Sequence, residues 1–261
     1  MHCCLNHLFN ENIGEEEKRG SMKILAVETS TMLGGIAICD DAAGLIAEVR
    51  LNVKSTHSER LMTEIDHVLR RSSLTVSDMD VFAVAIGPGS FTGLRIGLGT
   101  VKGFSYATGN PIVSVPTLEA FAWNFPFSMY PVCTMLDARK KEVYAAVFRW
   151  DQEGFARLID ETSIRVEKLL RNLRGTGDNM EGGFPCEKII FIGEGAVLYK
   201  DKIVEEMGDS AVFPPAEKMI PSPENVASLG MKKALRGEFS EPVGLVPFYI
   251  RRSEAEIKQS G

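Results

Sequence analysis

Apolar positions recur along this chain with two different periods, and the changes between them mark the predicted elements. "KILAVETS" (23–30), "GGIAICDD" (34–41) and "GLIAEVRLNV" (44–53) are β-type runs separated by short breaks, the pattern of an antiparallel meander. The period then changes. In "HSERLMTEIDHVLRRSS" (57–73), Leu61, Ile65, Val68 and Leu69 fall on one helical face, with Ser55 or Thr56 available as N-cap. "VFAVAIGP" (81–88) is almost wholly apolar, as a strand buried on both faces must be. A helical stretch follows to about residues 107–110, then a strand in "PIVSVPT" (111–117) and a short helix in "LEAFAWNF". The order βββαβα is a meander followed by crossover units.

The prolines and lost period of "NFPFSMYP" (124–131) predict a boundary, so we divide the chain into residues 22–125 and 126–261. Beyond it, "VCTMLDA" (132–138) and "EVYAAVFRW" (142–150) read as paired strands across the charged turn "ARKKE". "SIRVEKLLRNL" (163–173) reads as a helix, residues 174–185 as a glycine-rich loop, and "KIIFIGEGA" (188–196) as a strand entering a glycine turn. "SPENVASLGMKKALRG" (222–237) is a helix with Ser222 as N-cap, Pro223 at its first turn and Gly237 past its end.

Composition narrows the function classes. At 261 residues and 44% hydrophobic, the chain can bury one large core or two small ones. A formal net charge of −6 argues against a protein whose main affinity comes from neutralising nucleic-acid phosphates, although a local basic surface is compatible with it. The five cysteines are scattered, without a C-x-x-C pair, which suits a reducing, cytoplasmic location. No apolar run reaches the roughly 18 residues of a membrane span. Residues 1–21 lack the order of a secretory signal; we read them as a poorly ordered leader and Met22 as the functional start.

The most conspicuous motif is "AIGPGSFTGLRIGLG" (85–99), a glycine-rich turn between a buried strand and a helix. Three uses are open. Its amides can face an anion, through Ser90, Thr92 and Arg95, although the spacing fits neither G-x-x-x-x-G-K-[ST] nor G-x-G-x-x-G. Alternatively, Gly93 with Gly97, and Gly99 with Gly103, bare two helical stripes to a partner helix, or to the chain's own sheet. In "AVETSTMLGGIAI", the hydroxyls of Ser30 and Thr31, after Glu28, resemble the first phosphate hairpin of the actin and sugar-kinase superfamily; a plain turn is the other reading. Asp137, Arg139 and Lys140 crowd a hairpin tip, either merely solvated or, with Arg251 and Arg252, a local surface for RNA or a nucleotide. His57 and His67 are ten apart, out of register for a helical metal pair, and no metal site is expected. With no G-x-S-x-G elbow, no catalytic residue is assigned.

Six blocks carry a resemblance to a known family: "ILAVETSTMLGGIAI", "HSERLMTEIDHVL", "AIGPGSFTGLRIGLGTVKG", "VSVPTLEAFA", "LDARKKEVYAAVF" and "PFYIRRSEAE", in order over residues 22–256. Together they resemble the bacterial TsaB (YeaZ) family. The resemblance implies an α/β fold of two actin-like (ASKHA, ribonuclease H-like) lobes, each a mixed sheet with a βββαβα core. It implies a non-catalytic partner of TsaD, acting with the ATPase TsaE to form N6-threonylcarbamoyladenosine beside the anticodon of ANN-decoding tRNAs. ATP and Mg would be used by the assembled complex, with no cofactor of the chain's own; tRNA would be reached through the complex, and the chain alone would form a homodimer. TsaD-like proteins carry a histidine pair where this sequence has Thr117 and Phe121, and a glycine-rich second phosphate turn where it has "DARKKE"; Gly193 to Gly195 still resemble an adenosine-binding turn. The implied partner or dimer face is Leu61, Ile65, Leu69, Gly93, Gly97, Leu98 and Val101. An enzyme of the same fold, a small-molecule kinase or a metallopeptidase, is the alternative.

Overall fold

The computed structural model describes residues 20–52, 57–152, 154–175 and 188–250. Its first sheet takes β1 (Lys23–Glu28), β2 (Leu33–Asp40), β3 (Gly44–Asn52), β4 (Val81–Ala85) and β5 (Ile112–Val115) in the order β3-β2-β1-β4-β5. The second takes β6 (Val132–Asp137), β7 (Glu142–Trp150), β8 (Phe155–Arg165), β9 (Ile189–Ile192) and β10 (Ala211–Val212) in the order β10-β9-β6-β7-β8. Each sheet is an antiparallel meander of three strands extended by two parallel ones. The two orders are the same when each sheet is counted from its own first strand. This repeat is the two-lobed, actin-like α/β architecture.

The helices are α1 (His57–Arg71), α2 (Phe91–Thr108), α3 (Thr117–Ala122), α4 (Val166–Leu173), α5 (Glu194–Leu198), α6 (Lys200–Met207) and α7 (Pro223–Leu235). Strand alternation decides what each covers. Leu25 and Val27 of β1 face α1 and α2, where they meet Leu61, Ile65, Leu98 and Val101. Ile24 and Ala26 face the other way, against Val226, Ala227, Leu229 and Met231 of α7. In the second sheet, Cys133 and Met135 face α4, α5 and α6, while Val132 and Leu136 meet Leu118, Phe121 and Ala122 of α3.

The last helix of each half has therefore crossed over. α3, which follows the first sheet, supplies the core of the second, and α7 returns to the first. The division at residues 125 and 126 falls between α3 and β6 and separates both helices from the sheets that bury them. A carboxylate from β3 anchors the return. Glu48 Oε1 accepts from the Glu224 amide at the start of α7 (3.0 Å) and from the hydroxyl of Ser222 (3.0 Å). Ser222 holds the N-cap position, yet its side chain caps nothing itself.

Two other expectations change. The helix read from residue 163 begins at Val166, because Ser163 to Arg165 are the end of β8, paired with Tyr144 to Glu142. That strand lies at the sheet edge and is only partly buried, so its sequence, "FARLIDETSIR", carries little apolar alternation. α6 buries Ile203 alone, too weak a pattern to read from the sequence. The proposed cap at Ser55 or Thr56, residues 1–19 of the leader, Arg251 and Arg252 lie outside the described residues. Among those described, no helix is long and apolar enough to cross a membrane.

Candidate functional site: the hairpins and the cleft between the lobes

The glycine-rich turn closes on its own chain. Thr29, Ser30 and Thr31, in the turn between β1 and β2, are buried. The Ser90 amide donates to Ser30 O (2.6 Å), and Thr29 Oγ1 donates to Gly93 O (2.8 Å). The Gly93 amide donates to Ser90 Oγ (3.3 Å), which caps α2, and the Gly87 amide to Thr117 Oγ1 (3.1 Å). A β-carbon at Gly93 would strike the carbonyl of Thr29, and one at Gly97 its hydroxyl. Of the three uses open to this motif, internal packing is the one observed. The amides of Gly87, Ser90 and Gly93 are bonded within the chain, and the hydroxyl of Ser30 is buried without a hydrogen-bond partner.

Beneath this contact lies Glu28, fully buried. Its Oε1 accepts from the Ser30 amide (2.6 Å), while Oε2 has no hydrogen-bond partner. Burial pushes its carboxyl up to about 7, with the hydrogen bond from the Ser30 amide opposing the shift.

The residues assigned to the partner face also turn inward. Leu61, Ile65, Leu69, Gly93, Gly97, Leu98 and Val101 are buried on the first lobe's own sheet, a correction to the expected surface. A helix that buries one stripe must show another. On α2 the exposed stripe runs through Thr92, Arg95, Gly99, Gly103 and Tyr106, with Tyr106 93% exposed and open space beside both glycines. Met62 of α1 is also exposed. Arg95 is held by the chain's own tail: its Nε donates to the hydroxyl of Tyr249 (3.0 Å), and Tyr249 stacks on Phe91 at 4.9 Å.

Between the lobes is a cleft of about 610 Å³. Thr31, Met32 and Leu33 form one wall, Phe121 the floor, and Val197, Leu198 and Met219 to Pro221 the other side. Its charged lining groups are Asp137 and Glu194, both acidic. Burial, then the nearby Asp137 carboxylate, push the Glu194 carboxyl up. Gly193, at φ 94°, starts α5 so close to β6 that a β-carbon would meet the carbonyl of Met135. At the positions of the histidine pair, Thr117 Oγ1 is bonded to the Gly87 amide and Phe121 is a buried hydrocarbon. These residues do not fit a metal ion, and an apolar wall with two carboxylates does not fit a triphosphate.

The sequence-named polar residues are thus dispersed. Thr31 and Asp137 reach the cleft, Ser30 and Ser90 are structural, Thr92 and Arg95 lie on α2, and Arg139 and Lys140 stand on the β6–β7 tip. Val197, Leu198 and Met219 to Pro221 were missed. They come from the short α5 and an irregular segment, and only the packing of the lobes brings them together.

Known proteins resolve the ancestry of this arrangement. A Bacillus subtilis (strain 168) protein described as tRNA threonylcarbamoyladenosine biosynthesis protein TsaB is 30% identical over 237 residues, 91% of this chain and 97% of the relative. The chain belongs to the TsaB (YeaZ) family. The TsaB protein of Escherichia coli (strain K12) is 27% identical, over 92% of this chain and 99% of its own length. The family model described as TsaD, tRNA N6-adenosine threonylcarbamoyltransferase, also matches, over residues 45–259. TsaB-like chains therefore share a wider family with TsaD. A crystal structure from Pseudomonas aeruginosa, described as an uncharacterized protein with similarity to peptidase YEAZ, superimposes with a TM-score of 0.72 at 25% identity. It covers 88% of this chain and 100% of its own.

Proposed function

We propose that this TsaB-family chain is a non-catalytic partner of a TsaD-type protein in forming N6-threonylcarbamoyladenosine on tRNA. The relatives of nearly full coverage are described as threonylcarbamoyladenosine biosynthesis proteins. The observation that carries the accessory role is the cleft, whose apolar walls and paired carboxylates, Asp137 and Glu194, oppose the phosphates a nucleotide-driven transferase must hold. What it offers a partner is the outer stripe of α2, where Gly99 and Gly103 allow close helix approach beside Tyr106 as an anchor. On this reading the same face pairs with a second copy when the chain is alone. TsaE and tRNA join through the complex, ATP and Mg belong to the assembly, and the setting is the cytoplasm.

The test is a drop-out reconstitution with purified TsaC, TsaD and TsaE proteins, tRNA, threonine, bicarbonate and ATP. Modified tRNA should form only with this chain present, and Gly103→Trp should abolish both the product and co-elution with TsaD. Product formed equally well without the chain would overturn the reading, and phosphotransfer from MgATP by the chain alone would replace it with a kinase.

A further inference from the structure

The β6–β7 tip does something the sequence did not reveal: it joins a second cluster of cations. Arg139, Lys140 and Lys141 form the tip, all exposed. The Val166 amide donates to the carbonyl of Lys141 (3.4 Å), which sets the tip against the start of α4. There Arg165, Lys168 and Arg171, spaced by three, occupy the outer side of α4, because Val166, Leu169, Leu170 and Leu173 are buried. A depression of about 380 Å³ lies among Glu142, Ser163, Arg165, Glu167, Lys168 and Arg171. Ser163 Oγ donates to Glu142 Oε2 (3.3 Å), and Lys202 Nζ stands 3.8 Å from Glu167.

In a chain of net charge −6, this concentration of positive charge is local. The tip backbone points the same way. Arg139, Lys140 and Lys141 have φ of 62°, 54° and 64°, the left-handed region where glycine or asparagine would fold at lower cost. Folding alone does not call for Arg-Lys-Lys there.

We propose that this face binds the phosphodiester backbone of RNA. α4 is about 12 Å long, at about 1.5 Å per residue. Cations spread along it and onto the tip span more than one phosphate, as a strand requires and a single nucleotide does not. The groups lining the depression include no aromatic ring, so contact there would be independent of sequence. The patch belongs to the second lobe and the outer stripe of α2 to the first. The proposal rests on the accessory role in tRNA modification only in identifying the RNA as the tRNA substrate.

The experiment is fluorescence polarisation of a labelled tRNA transcript with the full chain, alone and with TsaD, across a range of NaCl concentrations. Affinity should fall steeply with salt. Arg165→Ala with Lys168→Ala should weaken binding at least tenfold and reduce the log–log salt slope by about one for each phosphate that is no longer neutralised. Lys168→Arg should retain binding. Both substituted sites are exposed, and circular dichroism checks that the fold is intact. Unchanged affinity and slope in the double variant would overturn the proposal, as would binding of inorganic triphosphate without binding of tRNA. In the reconstitution, the double variant should raise KM for tRNA and leave kcat unchanged. If tRNA modification needs the chain but the double variant supports it with an unaltered KM, the RNA face falls and the accessory role stands. If modification never needs the chain while polarisation detects salt-dependent binding, the reverse holds.

Discussion

The two lobes share a strand order, but the equivalent hairpins at their first strands have opposite surroundings. In the first lobe Thr29, Ser30 and Thr31 of the β1–β2 turn are buried, and Thr29 and Ser30 lock it to α2 and the glycine-rich turn before it. In the second, the β6–β7 turn is exposed, cationic and held in a left-handed run. Both lobes still press a glycine against the first strand or its end, Gly97 of α2 at Val27 and Thr29 and Gly193 at Met135. The packing rule is therefore common to both, and the chemistry displayed differs. One hairpin has become a keystone and the other a surface.

The largest effect expected concerns that keystone. Gly97→Leu drives a side chain into Thr29 and Val27, and overpacking against a hydrogen-bonded hairpin should cost about 3 kcal/mol or more, read as loss of the urea unfolding transition. Gly103→Leu on the opposite stripe meets open space and should change stability by no more than about 1 kcal/mol, in the stabilising direction. Equal effects of the two would break the distinction between inner and outer faces of α2.

Next comes the exchange of helices. Phe121, buried in the second lobe's core beneath the cleft although it follows the first sheet, should cost about 3–5 kcal/mol when replaced by alanine. Because α3 and α7 tie each lobe to the other's sheet, unfolding followed by tryptophan fluorescence and by first-lobe amide exchange should shift together. Separate transitions would show two independent lobes.

Glu28 sharpens the contrast through pH. Its folded-state pKa of about 7 lies above the ordinary 4.5, so the folded chain holds the proton more tightly than the unfolded one. Its contribution is complete below pH 4.5 and is lost as pH rises to about 7. The loss amounts to about 3 kcal/mol. Glu28→Gln should remove that slope from a plot of unfolding free energy against pH; an unaltered slope would assign it to other groups.

The smallest effect belongs to the exposed hairpin. Lys140→Gly at φ 54° should stabilise the chain by up to about 1 kcal/mol in thermal unfolding, since glycine adopts that backbone without steric cost. A loss of stability instead would mean that the lysine side chain itself supports the turn.

Much of this was legible from the chain. The periods of "KILAVETS", "VFAVAIGP" and "HSERLMTEIDHVL" are local signals, and local sterics with one-sided burial were enough to predict β1, β4 and α1. The same glycines that marked a close approach in "GPGSFTGLRIGLG" could not say what approached. Their surroundings are contributed by Thr29, sixty residues or more away, and only the folded sheet puts Thr29 against Gly93 and Gly97. For the same reason Leu61, Ile65 and Leu98 read equally well as core or as interface: an apolar stripe states that it must be covered, not by which chain. The cleft, the crossing of α3 and α7, and the meeting of the β6–β7 tip with α4 depend on contacts between distant segments, each too polar or too short to announce its partner. Periodicity is a property of neighbours in sequence, whereas a site is a property of neighbours in space, and this chain assembles its sites from both lobes.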